Sequence, residues 1–393
     1  MNNSTRFQLS FMMFLQYFIW GAWYVSMNSY MVANLGSTGK QITYAYGALA
    51  VATMISPFFV GRIADRYFSA QKIMGALHIA GGVFLFLATL TASNPLFITI
   101  ILIYSLLYMP TIALSNSVAF LQMEDPARQF PAVRMLGTVG WIAGGLLIGN
   151  LGIEKTANIF YIAAAASLLL GFFSYTLPNT PPQGSAATAG SAIGTEAFVL
   201  FKNRSYLVFF IAAVLICIPL SFYYSFANLF LNEAGMENAA GKMILGQLSE
   251  ALFILAIPLL LKRIGVKKML ILGMIAWVLR YILFSYGDSG SGLWMLYGGI
   301  ILHGICYDFF FVTGYMYTES RAGEKIKSAA QGLFTFATYG LGMVIGNWFS
   351  GMVADFYTIN MVRDWPSIWM VPVYIAAAVL VYFMIAFRDK KPV

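Results

Sequence analysis

Runs of about 20 mainly apolar residues recur along almost the whole chain, and one helix of that length crosses the hydrocarbon core of a bilayer. This repetition constrains the fold more than any other feature of the sequence. Twelve such runs lie near residues 9–33, 42–61, 73–92, 96–121, 134–152, 157–177, 206–231, 243–261, 269–286, 293–317, 328–352 and 367–387. The pattern predicts an all-α membrane protein with twelve transmembrane helices.

The composition supports a lipid environment. Only 10% of the 393 residues are charged and 60% are hydrophobic, whereas soluble domains carry roughly 25% charged residues. The first apolar run lacks a small-residue cleavage site, so we expect it to remain as the first helix. The net charge of +8 comes from basic loops, and we predict no nucleic-acid partner.

The basic residues indicate which loops face the cytoplasm, where Lys and Arg accumulate in membrane proteins. If the N-terminus is cytoplasmic, 18 of the 23 Lys and Arg residues fall in inside segments and 4 in outside loops, with Arg280 inside a span. Missing one helix would scramble this alternation. We therefore predict a multi-pass protein of the cell inner (cytoplasmic) membrane with both termini in the cytoplasm.

One segment has a different composition from the rest of the chain. Residues 178–195 read PNTPPQGSAATAGSAIGT, which is typical of a flexible linker. The prediction is an N-terminal six-helix half over 1–177, a cytoplasmic linker over 178–204 and a C-terminal half over 205–393. This layout matches the major facilitator superfamily, in which two halves move around a central site.

Ionisable residues inside spans are costly and by default indicate function. Gln247 and Glu250 are three positions apart, so they share one helix face, and no basic residue lies within four positions of Glu250. Glu250 is a candidate for proton exchange or for a hydrogen bond to a polar substrate. The alternative is a neutral acid satisfied by a neighbouring helix.

Asp308 is the second acid placed deep in a span, and it is flanked by aromatic residues. A protonatable Asp can couple uptake to the membrane potential and the proton gradient. Arg280 is the candidate ion-pair partner, so a purely structural Asp308–Arg280 pair is the competing interpretation. His303 lies nearby as a packing or functional histidine.

Two polar stripes accompany these acids. Arg134, Thr138 and Trp141 follow i, i+4, i+7 spacing and predict a cavity-lining face, although Arg134 alone can also reach the cytoplasm as the basic end of its span. Ser221 and Tyr224 follow Pro219, which can break a helix and free carbonyls toward a cavity. The alternative is that this tyrosine belongs to the aromatic belt at the membrane–water interface, which gives a similar sequence pattern.

The loop GRIADRYFSAQK resembles the G-x-x-x-D-R loop motif of the major facilitator superfamily, except that Phe68, Ser69 and Ala70 replace its later glycine and second basic cluster. We assign Asp65 and Arg66 a gating or structural role rather than substrate contact. The alternative is an ordinary charged loop.

No motif for enzyme chemistry is present in the sequence. It lacks G-x-S-x-G, a phosphate-binding P-loop, H-E-x-x-H and paired metal-binding histidines. Its two cysteines, Cys217 and Cys306, lie in apolar runs and exclude a cysteine-rich metal site. We predict no enzyme activity, no metal and no cofactor, with an ion gradient as the energy source.

Several longer segments resemble bacterial nucleoside:proton symporters of the major facilitator superfamily. They are FLQYFIWGAWY, ADRYFSAQK, YMPTIALSNS, FPAVRMLGTVGW, AFVLFKNR, SEALFILAIPLLLKRIGVKKMLILGMIAWVLRYILFSYGD, YDFF and SAAQGLF. The resemblance runs nearly end to end. It implies alternating access, proton-coupled nucleoside import and a substrate site that includes Arg134, Thr138, Trp141, Gln247, Glu250 and Asp308, with Glu250 and Asp308 as proton-coupling candidates.

The sequence departs from this family at positions that the resemblance places in the substrate site. Ser221 and Tyr224 stand where the family has amides, and Phe311 replaces an asparagine. Symport of a sugar or another small polar metabolite is therefore the alternative. The expected partners are a small-molecule substrate, protons and the lipid bilayer, and we expect a monomer.

Overall fold

The computed structural model describes residues 2–56, 68–181 and 195–388. They are almost entirely helical, in agreement with the predicted all-α membrane fold. Seven of the described helices are long and apolar enough to cross a membrane. The chain divides into two compact units, unit 1 (Met1–Ser37 and Tyr44–Ala187) and unit 2 (Thr38–Thr43 and Thr188–Val393).

The helices of the first part of the chain follow the apolar runs closely. They are α1 (Asn3–Trp23), α2 (Met27–Leu35), α3 (Gly39–Ser56), α4 (Ala70–Ala88), α5 (Asn94–Leu121), α6 (Pro126–Asn150) and α7 (Asn158–Ser174). The first predicted span is split, because α1 ends in a short turn before α2 begins. In unit 1, α1 packs against α6 and α7, and α4 packs against α5 and α7.

A short 3₁₀ helix at Thr195–Lys202 precedes the helices of the second part. These are α8 (Arg204–Glu233), α9 (Ala239–Tyr286), α10 (Leu293–Tyr307), α11 (Thr313–Thr335), α12 (Met343–Phe356) and α13 (Trp365–Ala386). In unit 2, α9 packs on α10 and α13, and α8 packs on α12 and α13.

Side-chain caps fix where α8 and α13 begin. The Asn203 side chain accepts hydrogen bonds from the first amides of α8, and Asp364 accepts one at the start of α13. These oxygens satisfy amides that have no partner inside the helix.

Two long helices are interrupted at glycines. Gly265 in α9 has φ 74° and Gly323 in α11 has φ 66°, values that glycine adopts without steric cost. Both breaks fall in the loops that the sequence predicts, between its eighth and ninth and its tenth and eleventh spans. A single assigned helix therefore contains parts of two predicted spans in each case.

Two π-helical turns interrupt the regular helices of unit 2. One covers Asp308–Val312 between α10 and α11, and the other covers Phe336–Gly342 between α11 and α12. Such turns are rare and are frequent at functional sites. A small antiparallel hairpin of β1 (Thr358–Ile359) and β2 (Val362–Arg363) precedes α13, with Thr358 opposite Arg363.

Candidate functional site

The predicted polar stripe of unit 1 lies on α6. Arg134, Thr138 and Trp141 are each partly exposed, as a cavity-lining face requires. Close packing of α6 on α1 sets their position: a Cβ atom at Gly140 would collide with the Phe14 carbonyl oxygen. Small residues at such contacts allow helix backbones to approach closely.

Aromatic side chains of α1 orient this stripe. The Arg134 guanidinium carbon lies 4.1 Å from the centre of the Tyr17 ring, which is within the range of a cation–π contact. Trp141 meets Trp20 edge to face, with ring centres 5.3 Å apart. Tyr17 therefore holds a cation on this face, and the Trp20–Trp141 pair forms an aromatic corner beside it.

Unit 1 also contains a buried polar network that the sequence did not predict. His78 Nε2 lies 2.8 Å from Gln16 Oε1, and Gln16 Nε2 donates to Thr111 Oγ1 at 2.7 Å. Thr111 in turn donates to the Tyr108 carbonyl oxygen at 2.6 Å, and Ser167 donates to the His78 carbonyl at 2.8 Å. The network joins α1, α4, α5 and α7 through fully buried side chains.

The predicted acids of unit 2 lie on α9 and at the first π turn. Gln247 and Glu250 are partly exposed on one face of α9. Asp308 is fully buried, and within the described part of the chain neither of its carboxyl oxygens has a hydrogen-bond partner. The π turn that begins at Asp308 packs against α9, the helix that carries Glu250, so the two acids lie on neighbouring elements.

A tight helix crossing fixes the backbone beside Glu250. Ser249 Oγ donates to the Ile301 carbonyl oxygen at 2.7 Å and accepts the Gly304 amide at 3.0 Å. A Cβ atom at Gly304 would lie 2.5 Å from the Glu250 backbone nitrogen. Only glycine permits this approach of α10 to α9.

The structure does not pair Arg280 with Asp308, in contrast to the expectation from sequence. Arg280 is fully buried, and its Nη1 lies 3.1 Å from His303 Nδ1. Its guanidinium carbon also lies 3.4 Å from the centre of the Tyr223 ring. Partner choice across helices depends on the rotation of each helix, which sequence spacing along a single helix does not specify.

Ser221 also differs from its predicted role in a cavity-lining stripe. It is fully buried, donates to the Ile218 carbonyl at 2.7 Å and lies 3.3 Å from Ser350 Oγ of α12. Its hydroxyl group is thus used in the contact between α8 and α12. Tyr224 is partly exposed and meets His303 edge to face, with ring centres 6.4 Å apart.

Aromatic residues surround the first π turn. The Tyr339 hydroxyl donates to the Tyr307 hydroxyl at 2.5 Å. The Phe311 ring lies 5.5 Å from that of Tyr307 and 5.8 Å from that of Tyr339. Phe311 is fully buried, so its ring packs within this aromatic group.

Two predicted gating residues, Asp65 and Arg66, lie outside the described residues. Among residues 2–56, 68–181 and 195–388, no group of three or more His, Cys, Asp or Glu side chains could hold a metal ion.

Comparison with known proteins gives consistent matches over the whole chain. The family model described as nucleoside H⁺ symporter matches residues 3–392. The putative nucleoside transporter YegT of Escherichia coli (strain K12) is 40% identical, covering 98% of this chain and 94% of that protein. The xanthosine permease of the same organism is 36% identical, covering 98% and 96%.

A solved structure agrees with these sequence matches. The crystal structure of the nucleoside transporter NupG superposes with a TM-score of 0.92 at 33% identity, covering 99% of this chain and all of that chain.

Proposed function

Because the chain belongs to the nucleoside H⁺ symporter family, we propose that it imports nucleosides by proton symport and alternating access, with its predicted polar residues as the substrate and proton sites. The match of that family model to residues 3–392 carries the functional conclusion. The protein is a membrane transporter rather than an enzyme, and the proton gradient supplies its energy.

The polar side chains suit a nucleoside chemically. Ribose hydroxyls both donate and accept hydrogen bonds, so they complement the Glu250 carboxylate and the Gln247 amide. A nucleobase can stack on an aromatic ring, for which Trp141 and Tyr224 are the candidates. Arg134 and Thr138 add hydrogen-bond donors from α6. Because Ser221 is buried, we assign it a smaller contribution to substrate binding.

The proton is assigned to the acids of unit 2. Two carboxyl groups that interact in a low-dielectric interior favour a state in which one of them holds a proton. Asp308 is buried without a hydrogen-bond partner in the described part of the chain, whereas Glu250 is partly exposed and can meet substrate and water. We assign proton coupling to this pair.

The membrane arrangement is part of the same proposal. Twelve spans, cytoplasmic termini and a cytoplasmic linker over 178–204 agree with the positive-inside distribution of Lys and Arg. The breaks at Gly265 and Gly323 support counting one span on each side of each glycine, so that each interrupted helix contributes to two spans. We propose a monomer in the bacterial inner membrane, with Asp65 and Arg66 acting in gating.

Uptake into proteoliposomes tests the function. The full-length protein is reconstituted and supplied with labelled uridine, adenosine or glucose, with and without an inward proton gradient. We expect nucleosides to accumulate only with the gradient, and a protonophore to abolish the accumulation. The substrate assignment is wrong if glucose accumulates while nucleosides neither accumulate nor compete.

A further inference from the structure

The buried guanidinium group of Arg280 in unit 2 is hydrogen-bonded to His303. Arg280 is fully enclosed, with the Tyr223 ring centre 3.4 Å from its guanidinium carbon and the rings of Trp277 and Phe284 at 5.7 Å. These ring faces attract the cation but accept no strong hydrogen bond. In the described part of the chain, Nε and Nη2 lack hydrogen-bond partners, and Nη1 is bonded to His303 Nδ1 at 3.1 Å.

This hydrogen bond fixes the tautomer of His303. A guanidinium group has only donors, so Nδ1 of the imidazole must be the acceptor. The imidazole proton is therefore on Nε2. A second proton would need the Nδ1 lone pair that Arg280 already occupies.

The Nε2 edge of the imidazole lies close to Glu250. His303 Nε2 lies 3.9 Å from Glu250 Oε2, and the side chain of His303 is 3% exposed while that of Glu250 is 33% exposed. The Tyr223 ring stacks on the imidazole at 5.0 Å with an interplanar angle of 23°, and the Tyr224 ring meets it edge to face. Stacking on one side and an edge contact on another restrict rotation of the imidazole.

We propose that His303 is a positioning residue that links the buried charge of Arg280 to Glu250, so that Nε2–H stabilises the Glu250 carboxylate whenever that group has lost its proton. The inference rests on the proposed role of Glu250 in coupling. Protonation of Glu250 removes the charged acceptor and weakens the link. His303 itself exchanges no proton in this scheme.

The other titratable groups around this set belong to the same packing. Tyr223, Cys306 and Tyr307 interact with Arg280 or Glu250, Tyr224 lies against His303, and Asp308 interacts with Glu250. Of these, Asp308 is the acid that competes with Glu250 for a proton. A pH profile of transport therefore reports on Glu250 and Asp308 together.

Nitrogen NMR of the unmodified protein tests the tautomer directly. The chain has two histidines, so ¹⁵N-histidine labelling gives two ring systems, and the His303→Gln variant identifies the one that belongs to His303. We expect protonated Nε2 and bare Nδ1, with an Nε2 shift that follows the pH profile of uptake and becomes pH-independent in Glu250→Gln. Protonated Nδ1, or an Nε2 shift indifferent to Glu250, overturns the proposal.

Transport by two matched variants tests the consequence. His303→Phe keeps a flat ring but loses both nitrogens, and we expect about tenfold slower gradient-driven uptake with a displaced acid limb of its pH profile, because Arg280 loses its acceptor and Glu250 its donor. His303→Gln can accept from Arg280 and donate to Glu250, so it should restore most of the rate and the parental pH profile.

The Glu250→Gln background separates this proposal from the proposed function. There, adding His303→Phe should leave the pH profile of nucleoside counterflow exchange unchanged, because the carboxylate that Nε2–H would stabilise is already absent. If Glu250→Gln impairs coupling but His303→Phe keeps the parental pH profile, the positioning role fails while the function stands. If Glu250→Gln alone couples normally, the role of Glu250 fails, and the link to His303 with it.

Discussion

The buried His78 of unit 1 and the buried Asp308 and Arg280 of unit 2 differ in how completely their polar atoms are hydrogen-bonded. In unit 1, Gln16 and Thr111 each donate and accept within one continuous network around His78. In unit 2, Asp308 keeps two carboxyl oxygens without hydrogen bonds in the described part of the chain, and Arg280 keeps two bare nitrogens.

This difference suggests different roles for these groups in the two units. A satisfied network rigidifies the helices that it joins, whereas an unsatisfied buried group is costly in one protonation state and cheaper in another. The helices of unit 1 that the network around His78 joins therefore form a fixed support. Under the proposed coupling role, Asp308 and Glu250 of unit 2 are the groups whose charge changes during a transport cycle.

The largest expected effect comes from neutralising the acids. One proton crossing about 100 mV is worth about 2.3 kcal/mol, which sustains a roughly fiftyfold accumulation. Asp308→Asn and Glu250→Gln should each reduce nucleoside accumulation in energised proteoliposomes to near equilibrium. Counterflow exchange surviving in one variant would mark that residue as a proton carrier rather than a substrate ligand. Normal accumulation in both variants would refute the coupling assignment.

The second effect concerns the crossing of α9 and α10. Gly304→Ala adds a methyl group against the Glu250 backbone, an overpacking that typically costs about 1–3 kcal/mol. We expect slower nucleoside uptake as well as a lower melting temperature in detergent. Gly298→Ala on the same helix is the control, because its Cβ atom meets only the end of the Leu283 side chain. If Gly304→Ala lowers the melting temperature but leaves nucleoside uptake unchanged, this helix crossing has only a structural role, like the network of unit 1.

A smaller effect is expected from opening the network of unit 1. Gln16→Leu leaves the His78 ring without its acceptor, at a cost of about 1–2 kcal/mol for a buried unsatisfied donor. The melting temperature of the purified protein should fall while the proton-driven accumulation ratio stays unchanged. Ser117→Ala removes an exposed hydroxyl from the neighbouring α5 and should do neither. If Gln16→Leu changed proton coupling, the network of unit 1 would have more than a structural role, and the proposed difference between the units would be wrong.

The smallest effect tests whether unit 1 also contacts substrate. Arg134→Lys keeps the charge but loses the flat guanidinium over Tyr17, worth about 0.5–1 kcal/mol, so KM for nucleoside exchange should rise roughly two- to fivefold. A Lys that serves equally well would favour the simpler interpretation of Arg134 as a cationic helix end that reaches the cytoplasm.

The sequence predicts helices well because an apolar run long enough to span lipid has few alternatives to a helix. It also picks out Glu250 and Asp308 as candidates, because an acid among apolar residues is conspicuous, and their roles remain predictions. Pairings between helices are harder, as Arg280 and His303 show. Those side chains are 23 residues apart and meet only through the packing of α9 on α10.

The burial of Ser221 and the network of Gln16 have the same explanation. A polar residue in a membrane helix can face either a cavity or another helix. The spacing of polar residues in the sequence is the same in both cases, so it does not distinguish them. A π turn adds to the difficulty, because regular 3.6-residue spacing no longer holds across Asp308–Val312.

The number of residues in the π turn that begins at Asp308 determines where the side chains of this part of the site point. The turn accommodates one residue more than an α-helix would in the same place, and each α-helical residue rotates the following chain by about 100°. Deleting one residue here would leave a continuous helix with good backbone bonds. The helix beyond the turn could then keep its present neighbours, because the wide turn had accommodated the extra residue, whereas the side chains within Asp308–Val312 would point in new directions. In this segment, insertions and deletions alter the site as directly as replacing one of its acids.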